Sequence, residues 1–277
     1  MKWATWDEAA IAAGISFTLF LVLTRFPSSR PRNALMPALK EFAFIASLYS
    51  LWRLARQLPF THPEGAVDRA RRIDDFQQAL RMPTEISMQH FVIQHDRLAE
   101  LVNDYYATIH VPALIIFLIW LFVRHRDKYP HWRNGLAFVT LCCLFIRFIR
   151  VAPPRFIPEL GFVDLSQRYG LSVYGPVGSG ISDQYAAMPS IHIAWAAVVA
   201  LGIFSVSPSR WRWVFVLHLP ITFFVVAATG HHWWLDGIVA VVLLAIGLRL
   251  DSWVLTNRAA RSKVDSEPTI PATEDAT

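Results

Sequence analysis

The chain has 277 residues, 54% of them hydrophobic and only 17% charged, and it includes 11 tryptophans. This balance argues against an ordinary water-soluble domain and is typical of a protein with several membrane spans. The net charge of +5 does not indicate a nucleic-acid partner, because the basic residues lie mostly in short loops and form no stripe with interleaved aromatic residues.

The first apolar run follows the short segment MKWATWDEAA, which carries Asp7 and Glu8, and no small-residue cleavage pattern ends it. We therefore predict a retained membrane span here, not a cleaved secretory signal. Cys142 and Cys143 are neighbours inside a later apolar run, so they cannot form a disulfide framework.

Seven segments are predicted to span the bilayer, since a spanning helix needs roughly 20 mostly apolar residues. The second segment is the weakest, because Arg53 and Arg56 would have to snorkel or face protein, and it could instead be a tilted or interfacial helix. The predicted spans cover residues 9–25, 39–57, 101–123, 134–151, 188–206, 213–230 and 232–255.

A charged segment with recurring apolar positions, residues 65–106, separates the second and third spans. It predicts one or two amphipathic helices, broken at Pro83, which lie on the membrane surface or form a cap over the bundle. The predicted fold class is therefore all-α. It is a polytopic transmembrane helix bundle with a six-helix catalytic core, one extra span and amphipathic interfacial helices.

The predicted organisation has three parts. Residues 1–38 form an N-terminal span and a cytoplasmic loop, residues 39–255 form the catalytic membrane domain, and residues 256–277 form a cytoplasmic tail. The tail is rich in Ser, Thr, Pro, Asp and Glu, a composition that predicts disorder.

Lysine and arginine are concentrated in alternate loops, after the first, third, fifth and seventh predicted spans. Cytoplasmic loops carry such an excess, so we assign these loops and the C-terminus to the cytoplasm, although the arginines of the amphipathic segment weaken the bias. The expected location is a bacterial cytoplasmic membrane. The loop residues are Arg25, Arg30, Arg32, Lys40, Arg124, Arg126, Lys128, Arg133, Arg210, Arg212, Arg249, Arg258, Arg261 and Lys263.

Three polar stretches reach the opposite, extracytoplasmic face: RFIRVAPPRF, AAMPSIHIAW and TGHHWWLDG. Ionisable residues at membrane depth are costly and usually face a bundle interior or a wet cavity, so these stretches are the default site. The candidate residues are Arg150, Arg155, His192, His231, His232 and Asp236.

Two local patterns suit phosphate chemistry. Pro189 suits the first residue of a helix, which would place Ser190 and His192 beside free backbone N–H groups, a favourable site for phosphate. His232 and Asp236 are four residues apart. On a helix the carboxylate can hold one imidazole nitrogen as N–H and leave the other free to attack.

These residues support a reaction at phosphorus. Arg155, with Arg150, would bind the phosphate oxygens and stabilise the transition state, aided by Ser190. His232 would attack phosphorus to give a phosphohistidine. His192 would protonate the leaving oxygen and then deprotonate the incoming water or alcohol. The scheme needs no metal and no cofactor.

The motifs APPRF, PSIH and HHWWLD resemble the three signature motifs of the type 2 phosphatidic acid phosphatase superfamily. They are most similar to its branch of inositol phosphorylceramide synthases and their bacterial relatives. NDYYATIHVP, GFVDL and DQYAAMPSIH also look like the bacterial members, so the resemblance covers about residues 40 to 250.

The resemblance implies a lipid phosphate substrate in the membrane. It implies that Arg155 and Ser190 bind phosphate, that His192 is the acid and base, and that His232 is the nucleophile, positioned by Asp236.

The chain departs from the superfamily pattern at one lysine, one proline, one arginine and one glycine, which are here Phe148, Phe156, Val226 and Ile191. Two cationic phosphate ligands are thus missing. Arg150 is the first candidate to replace them, and Arg147 and His231 are the others. His110 and His218 lie within predicted spans, where a histidine is either functional or a structural polar contact.

The acceptor stays open, because the same residues serve a lipid phosphatase that uses water and a head-group phosphotransferase that uses an alcohol or sugar hydroxyl. A non-enzymatic transporter or scaffold is the alternative class, but no inverted repeat or paired broken helices support it. A metal site at the clustered histidines is disfavoured, because adjacent histidines do not match the usual zinc spacing.

The catalytic hypothesis can be checked against the structure. Arg155, His192 and His232 must converge within the width of one phosphate group, and the hypothesis fails if they lie on opposite membrane faces.

Overall fold

The computed structural model describes residues 4–55, 64–169 and 185–265 of the chain. Within these ranges the chain is helical, and β-type pairing is limited to one bridge between Val151 and Ala186. The predicted all-α bundle is thus confirmed. The helices are α1 (Trp6–Thr24), α2 (Arg30–Ala55), α3 (Ala66–Ala79), α4 (Glu85–Ile93), α5 (Asp96–Thr108), α6 (His110–Arg124), α7 (Tyr129–Ile146), α8 (Leu165–Tyr169), α9 (Ile191–Val206), α10 (Arg212–Val216), α11 (His218–Ala228) and α12 (Trp234–Asp265).

Three helices are long and apolar enough to cross a membrane: α1, α2 and the Trp234–Asn257 part of α12. The pair α5 and α6, bent by 48°, makes a fourth if it is counted as one span. The apolar helix α9 and the apolar stretch Arg212–Ala228 are shorter. Long apolar helices are typical of an integral membrane protein. Each predicted span overlaps a helix or a helix pair, and the count of seven spans stays a prediction.

Two helices extend beyond the predicted spans. The second span is predicted to start at residue 39, but α2 begins at Arg30, with Pro31 in the first turn, where a missing N–H leaves no helical hydrogen bond unmade. The proposed boundary between residues 38 and 39 therefore falls inside α2. At the other end α12 continues to Asp265, so a helix covers the first part of the segment whose composition predicts disorder. Residues 266–277 lie outside the described residues.

Helices α1 and α2 form an antiparallel hairpin through small buried residues, which let the two backbones approach closely. These residues are Ala9, Ala13, Ser16, Ala43, Ala46 and Ser50. Arg133 of α7 joins the hairpin to the remaining helices, because its guanidinium donates to both carboxylate oxygens of Glu41 at 2.6 Å.

Helix α9 lies at the centre of the bundle and contacts α6, α7, α11 and α12. Most of its buried residues are small, alanine above all, as expected for a helix that is surrounded by others and packs closely. A Cβ atom on Gly202 would overlap the ring of Phe117. This glycine therefore allows α6 to pack directly against α9.

The bend between α5 and α6 has an identifiable cause. Pro112 has no backbone N–H and its ring excludes the carbonyl of Thr108, so the helix cannot continue straight through this point. The bend places His110 at the start of α6, where it is 3% exposed.

Helices α3 and α4 pack across the end of the bundle at which α12 begins, as the cap interpretation requires. Gln77 of α3 accepts from the backbone N–H of Leu235 at 2.9 Å, and Glu85 of α4 accepts from that of Trp234 at 2.9 Å. Gln77 also donates to Glu85 at 2.8 Å. The first N–H groups of a helix have no partner within it, so these side chains supply the missing acceptors for α12.

Gln89 of α4 is fully buried and fixes two loops at the same end. Its Oε1 accepts from the N–H of Val163 at 2.7 Å, and its Nε2 donates to the carbonyls of Val163 at 2.9 Å and Ala228 at 3.0 Å. One side chain thus links α4 to the end of α11 and to the loop that follows the two 3-10 turns Pro154–Phe156 and Pro158–Leu160.

Replacing Gln89 with leucine should destabilise the fold by about 1–3 kcal/mol, because one buried and two partly buried backbone groups lose their partner. Thermal unfolding in detergent measures the loss. Gln94→Leu, at an exposed position just after α4, is the matched control. Equal melting temperatures for the two variants would contradict the role of Gln89.

Candidate active site

Three loops meet at the end of the bundle that α3 and α4 cover: the loop after α7, the segment before α9 and the loop between α11 and α12. Backbone hydrogen bonds join them. The N–H of Ala187 donates to Val151 at 3.1 Å, that of Arg155 to Gly230 at 3.1 Å, and that of Ser190 to Asp236 at 3.2 Å. The three polar stretches of the sequence are thereby brought together.

His232 is held by one imidazole nitrogen. Its Nδ1 lies 2.7 Å from the carbonyl oxygen of Ala187 and 3.4 Å from Oδ2 of Asp236. A carbonyl oxygen only accepts, so Nδ1 carries the hydrogen and Nε2 keeps its lone pair. Among the described residues Nε2 has no hydrogen-bond partner. An imidazole held in this way can act as a nucleophile.

The sequence predicts that Asp236 and His232 lie one turn apart on the same helix, but the structure brings them into contact in another way. Helix α12 begins at Trp234, so His232 precedes it, and Oδ2 of Asp236 also accepts from the N–H of Trp233 at 2.8 Å. The carboxylate therefore caps the start of α12 and reaches His232 from there. Asp236 is fully buried, and its charge lies beside the ring that becomes cationic in the proposed reaction.

His192 and His231 complete a cluster of imidazole rings. The ring of His192 lies 5.8 Å from that of His232 and 4.6 Å from that of Tyr106, measured between centroids. Tyr106 also stacks on His231 at 4.1 Å. His110 lies farther along the bundle, with its ring 5.2 Å from that of His192.

Ser190 caps α9, and its hydroxyl oxygen accepts from the N–H of Ile193 at 3.4 Å. The prediction that Pro189 is the first residue of the helix is wrong, since α9 begins at Ile191 and Pro189 precedes the cap. A capping serine already satisfies one N–H of the first turn. The hydrogen of its hydroxyl stays available for a phosphate oxygen.

Arg155 lies in the turn Pro154–Phe156, beside the loop that carries His231 and His232. Gly230 makes this approach possible. It has a φ of +64°, and a Cβ atom there would lie 3.2 Å from Cβ of Arg155. Arg155 interacts electrostatically with His231, and so does His192. The cationic group and the histidines therefore share one site.

Arg147 and Arg150 lie just after α7 and are 7% and 8% exposed. The two guanidinium groups interact with each other. The residue after Arg150 is Val151, whose carbonyl accepts from the N–H of Ala187. Both arginines therefore lie close in the chain to Val151, which pairs with the segment that orients His232.

Several contributors to the site were missed in the sequence. The carbonyl of Ala187 has no side-chain signal, and Tyr106 belongs to a motif whose resemblance gave it no role. Gln77 and Glu85 lie in the amphipathic segment far from the motifs. For this pair the only signal in the sequence was a glutamine and a glutamate placed among the apolar residues of the amphipathic segment.

The alternative of a metal site receives no geometric support. Within the three described ranges, no group of three or more His, Cys, Asp or Glu side chains is arranged to hold a metal ion.

The chain matches the model of the PAP2 superfamily over residues 71–250, which is more than half of its length. The protein therefore belongs to the PAP2 superfamily, and this membership supports a phosphatase-type function on a lipid phosphate. The match begins in α3 and ends in α12, so it includes the cap and all three site loops. No curated protein and no solved structure matches the chain.

Glu85 gives the site a predicted pH dependence. Burial raises the pKa of Glu85 above its ordinary value, and the hydrogen bonds from Trp234 and Gln77 act in the opposite direction. An acid with a raised pKa in the folded state contributes stability at low pH and loses it as the pH rises through that pKa. Glu85→Gln keeps an acceptor for both hydrogen bonds and removes the charge.

We therefore expect wild type to lose stability relative to Glu85→Gln as the pH rises from about 4 to about 8. Melting temperatures of both proteins across this range measure the difference, and Glu100→Gln on an exposed position of α5 controls for the loss of one carboxylate. A constant difference at all pH values would contradict the assignment.

Proposed function

We propose that the protein is an integral-membrane enzyme that cleaves a phosphate ester or phosphodiester of a lipid through a phosphohistidine on His232. The proposal rests on the contacts of the two nitrogens of that ring. Nδ1 is tied to Ala187 at 2.7 Å while Nε2, in a side chain only 4% exposed, has no partner among the described residues. A buried, oriented lone pair beside a second histidine and an arginine suits attack on phosphorus.

In the first step Nε2 of His232 forms a bond to phosphorus as the bond from phosphorus to the lipid oxygen breaks. His192 donates a proton to that oxygen, so the leaving group departs as a neutral alcohol. His232 gains positive charge, which the carboxylate of Asp236 stabilises, and the Ala187 carbonyl keeps the ring in place.

In the second step His192, now neutral, takes a proton from the acceptor. The acceptor oxygen bonds to phosphorus, and the electron pair of the P–N bond returns to Nε2 of His232. Water as acceptor gives a phosphatase, and an alcohol gives a phosphotransferase. Transfer of a lipid head group such as inositol phosphate follows the same steps when the donor is a phosphodiester.

The phosphoryl oxygens are assigned to Arg155, to the Ser190 hydroxyl and to the first backbone N–H groups of α9, which have no partner within the helix. Arg150, with Arg147, is the proposed substitute for the two cationic ligands that the superfamily motifs contain and this chain lacks. Each donor is fixed before the reaction, so little reorganisation is needed as charge develops.

The site is placed on the extracytoplasmic face of the membrane, with the C-terminus in the cytoplasm. Support comes from the basic residues in and beside the connections between α1 and α2, α6 and α7, and α9 and α10. The last two connections lie at the ends of α7 and α9 opposite the site. Such loops face the cytoplasm in most membrane proteins.

Turnover of a lipid phosphate tests the chemistry. His232→Ala should abolish phosphate release from phosphatidic acid in mixed micelles, and His192→Ala should slow it by about 10²–10⁴-fold, the range for a lost general acid. His95→Ala, which changes an exposed histidine, should behave as wild type. Equal turnover in all four proteins would refute the catalytic assignment and favour a transporter or scaffold that uses the histidines for binding.

A further inference from the structure

A second polar cluster lies next to His192 and takes no part in the steps above. It consists of Tyr105, His110, His218 and Thr222, and we call it the His110 cluster. The ring of His110 lies 5.2 Å from that of His192 and 5.9 Å from that of His218. The cluster therefore extends from the acid–base residue into the bundle.

His110 presents a hydrogen-bond acceptor to this cluster. Its Nδ1 lies 3.3 Å from the carbonyl oxygen of Tyr106, and because a carbonyl only accepts, Nδ1 carries the hydrogen. Nε2 is then a lone-pair acceptor, and it is buried with no partner among the described residues.

His218 presents a donor in one of its two tautomers. The hydroxyl of Thr222 donates to the backbone carbonyl of His218 at 2.7 Å, and the hydroxyl of Tyr105 lies 2.6 Å from Nδ1 of His218. When that hydroxyl donates to Nδ1, the hydrogen of the imidazole is on Nε2. This Nε2 is also buried without a partner in the described part of the chain. A buried hydrogen-bonding group of this kind is destabilising unless a ligand or water satisfies it.

We propose that the His110 cluster is the acceptor subsite and binds the hydroxyl group of an alcohol. A hydroxyl both donates and accepts, so it can satisfy Nε2 of His110 and Nε2–H of His218 together. None of the four side chains is a cation, which argues against a phosphate ligand at this position. The inference rests on the proposed function and extends it by naming the acceptor as an alcohol.

The depth of the cluster favours an alcohol over water. His218 begins α11, so it lies about 15 Å along the helix axis from the loop with His231 and His232. Leu101 and Ile109, four residues before and after Tyr105, are exposed, and so is Ile221, three residues after His218. The cluster thus borders an apolar, lipid-facing surface.

In the reaction the hydroxyl leaves His110 and His218, turns its O–H towards His192 and loses the proton to it as the hydroxyl oxygen forms the bond to phosphorus. The P–N bond of phosphorylated His232 breaks, and its electron pair returns to Nε2. The products are a phosphorylated alcohol, free His232 and protonated His192, which is ready to protonate the next leaving group.

The full-length protein in nanodiscs, with phosphatidic acid radiolabelled at phosphorus, provides the test. One arm supplies myo-inositol in the water and the other supplies hexadecanol in the bilayer, which distinguishes the two sources of a hydroxyl. The readout is the ratio of labelled phospho-alcohol to labelled inorganic phosphate. A ratio measured within one sample does not change when part of the protein is unfolded.

Wild type should form the phospho-alcohol in at least one arm. His110→Phe and His218→Phe should each lower the ratio roughly tenfold, the effect of one lost hydrogen bond. His110→Gln, which retains a hydrogen-bonding group, should recover part of it. The control His90→Phe changes an exposed histidine of α4 and should match wild type.

Two results would overturn the subsite while leaving the proposed function intact. One is a wild-type ratio in both phenylalanine variants, and the other is release of inorganic phosphate alone in both arms by wild type. If wild type and His90→Phe form neither labelled phospho-alcohol nor labelled inorganic phosphate, the proposed function itself fails, and the subsite fails with it.

Discussion

The hydrogen bond between Nδ1 of His232 and the carbonyl of Ala187 determines which nitrogen of that ring can react. Much of the architecture serves to hold its two ends. Ala187 is paired with Val151, so its position depends on the loop after α7, while His232 lies between the end of α11 and the start of α12. A shift of either loop would change the tautomer that the ring prefers or the direction of its lone pair.

The cap formed by α3 and α4 holds these loops in place. Gln77 and Glu85 accept from the first N–H groups of α12, and Gln89 joins α4 to the end of α11. Buried polar groups are expensive at membrane depth unless they are paired. Here the pairing also fixes the ends of the helices that carry the site. The same side chains therefore contribute to stability and to the position of His232.

The contrast between His232 and His110 shows how one residue type takes two proposed roles. Both rings donate through Nδ1 to a backbone carbonyl and keep an unpartnered Nε2 within the described residues. His232 lies beside the carboxylate of Asp236, which stabilises a cationic phosphorylated ring. His110 lies among aromatic rings and neutral hydroxyl groups, where a hydrogen bond to an uncharged ligand is favoured.

The helices could be predicted from the sequence because the apolar runs are long, and the polar stretches could be identified because charge is rare in such runs. The ends of the helices could not be predicted from the sequence. Arg30 and Pro31 were assigned to a loop although α2 begins there, and Pro189 was assigned to a helix although it precedes the cap. These boundaries depend on which backbone groups find partners in the folded chain. The role of Ala187 depends on its backbone alone, so no residue pattern could have revealed it.

The most direct measurement is the identity of the phosphorylated atom in a trapped enzyme intermediate. The protein is mixed with a lipid phosphate and quenched in alkali. Mass spectrometry then identifies the modified residue, and phosphorus NMR distinguishes the two ring nitrogens. We expect phosphate on Nε2 of His232, because Nδ1 is held by the carbonyl of Ala187. Phosphate on Nδ1 of His232, or on any other residue, would contradict it.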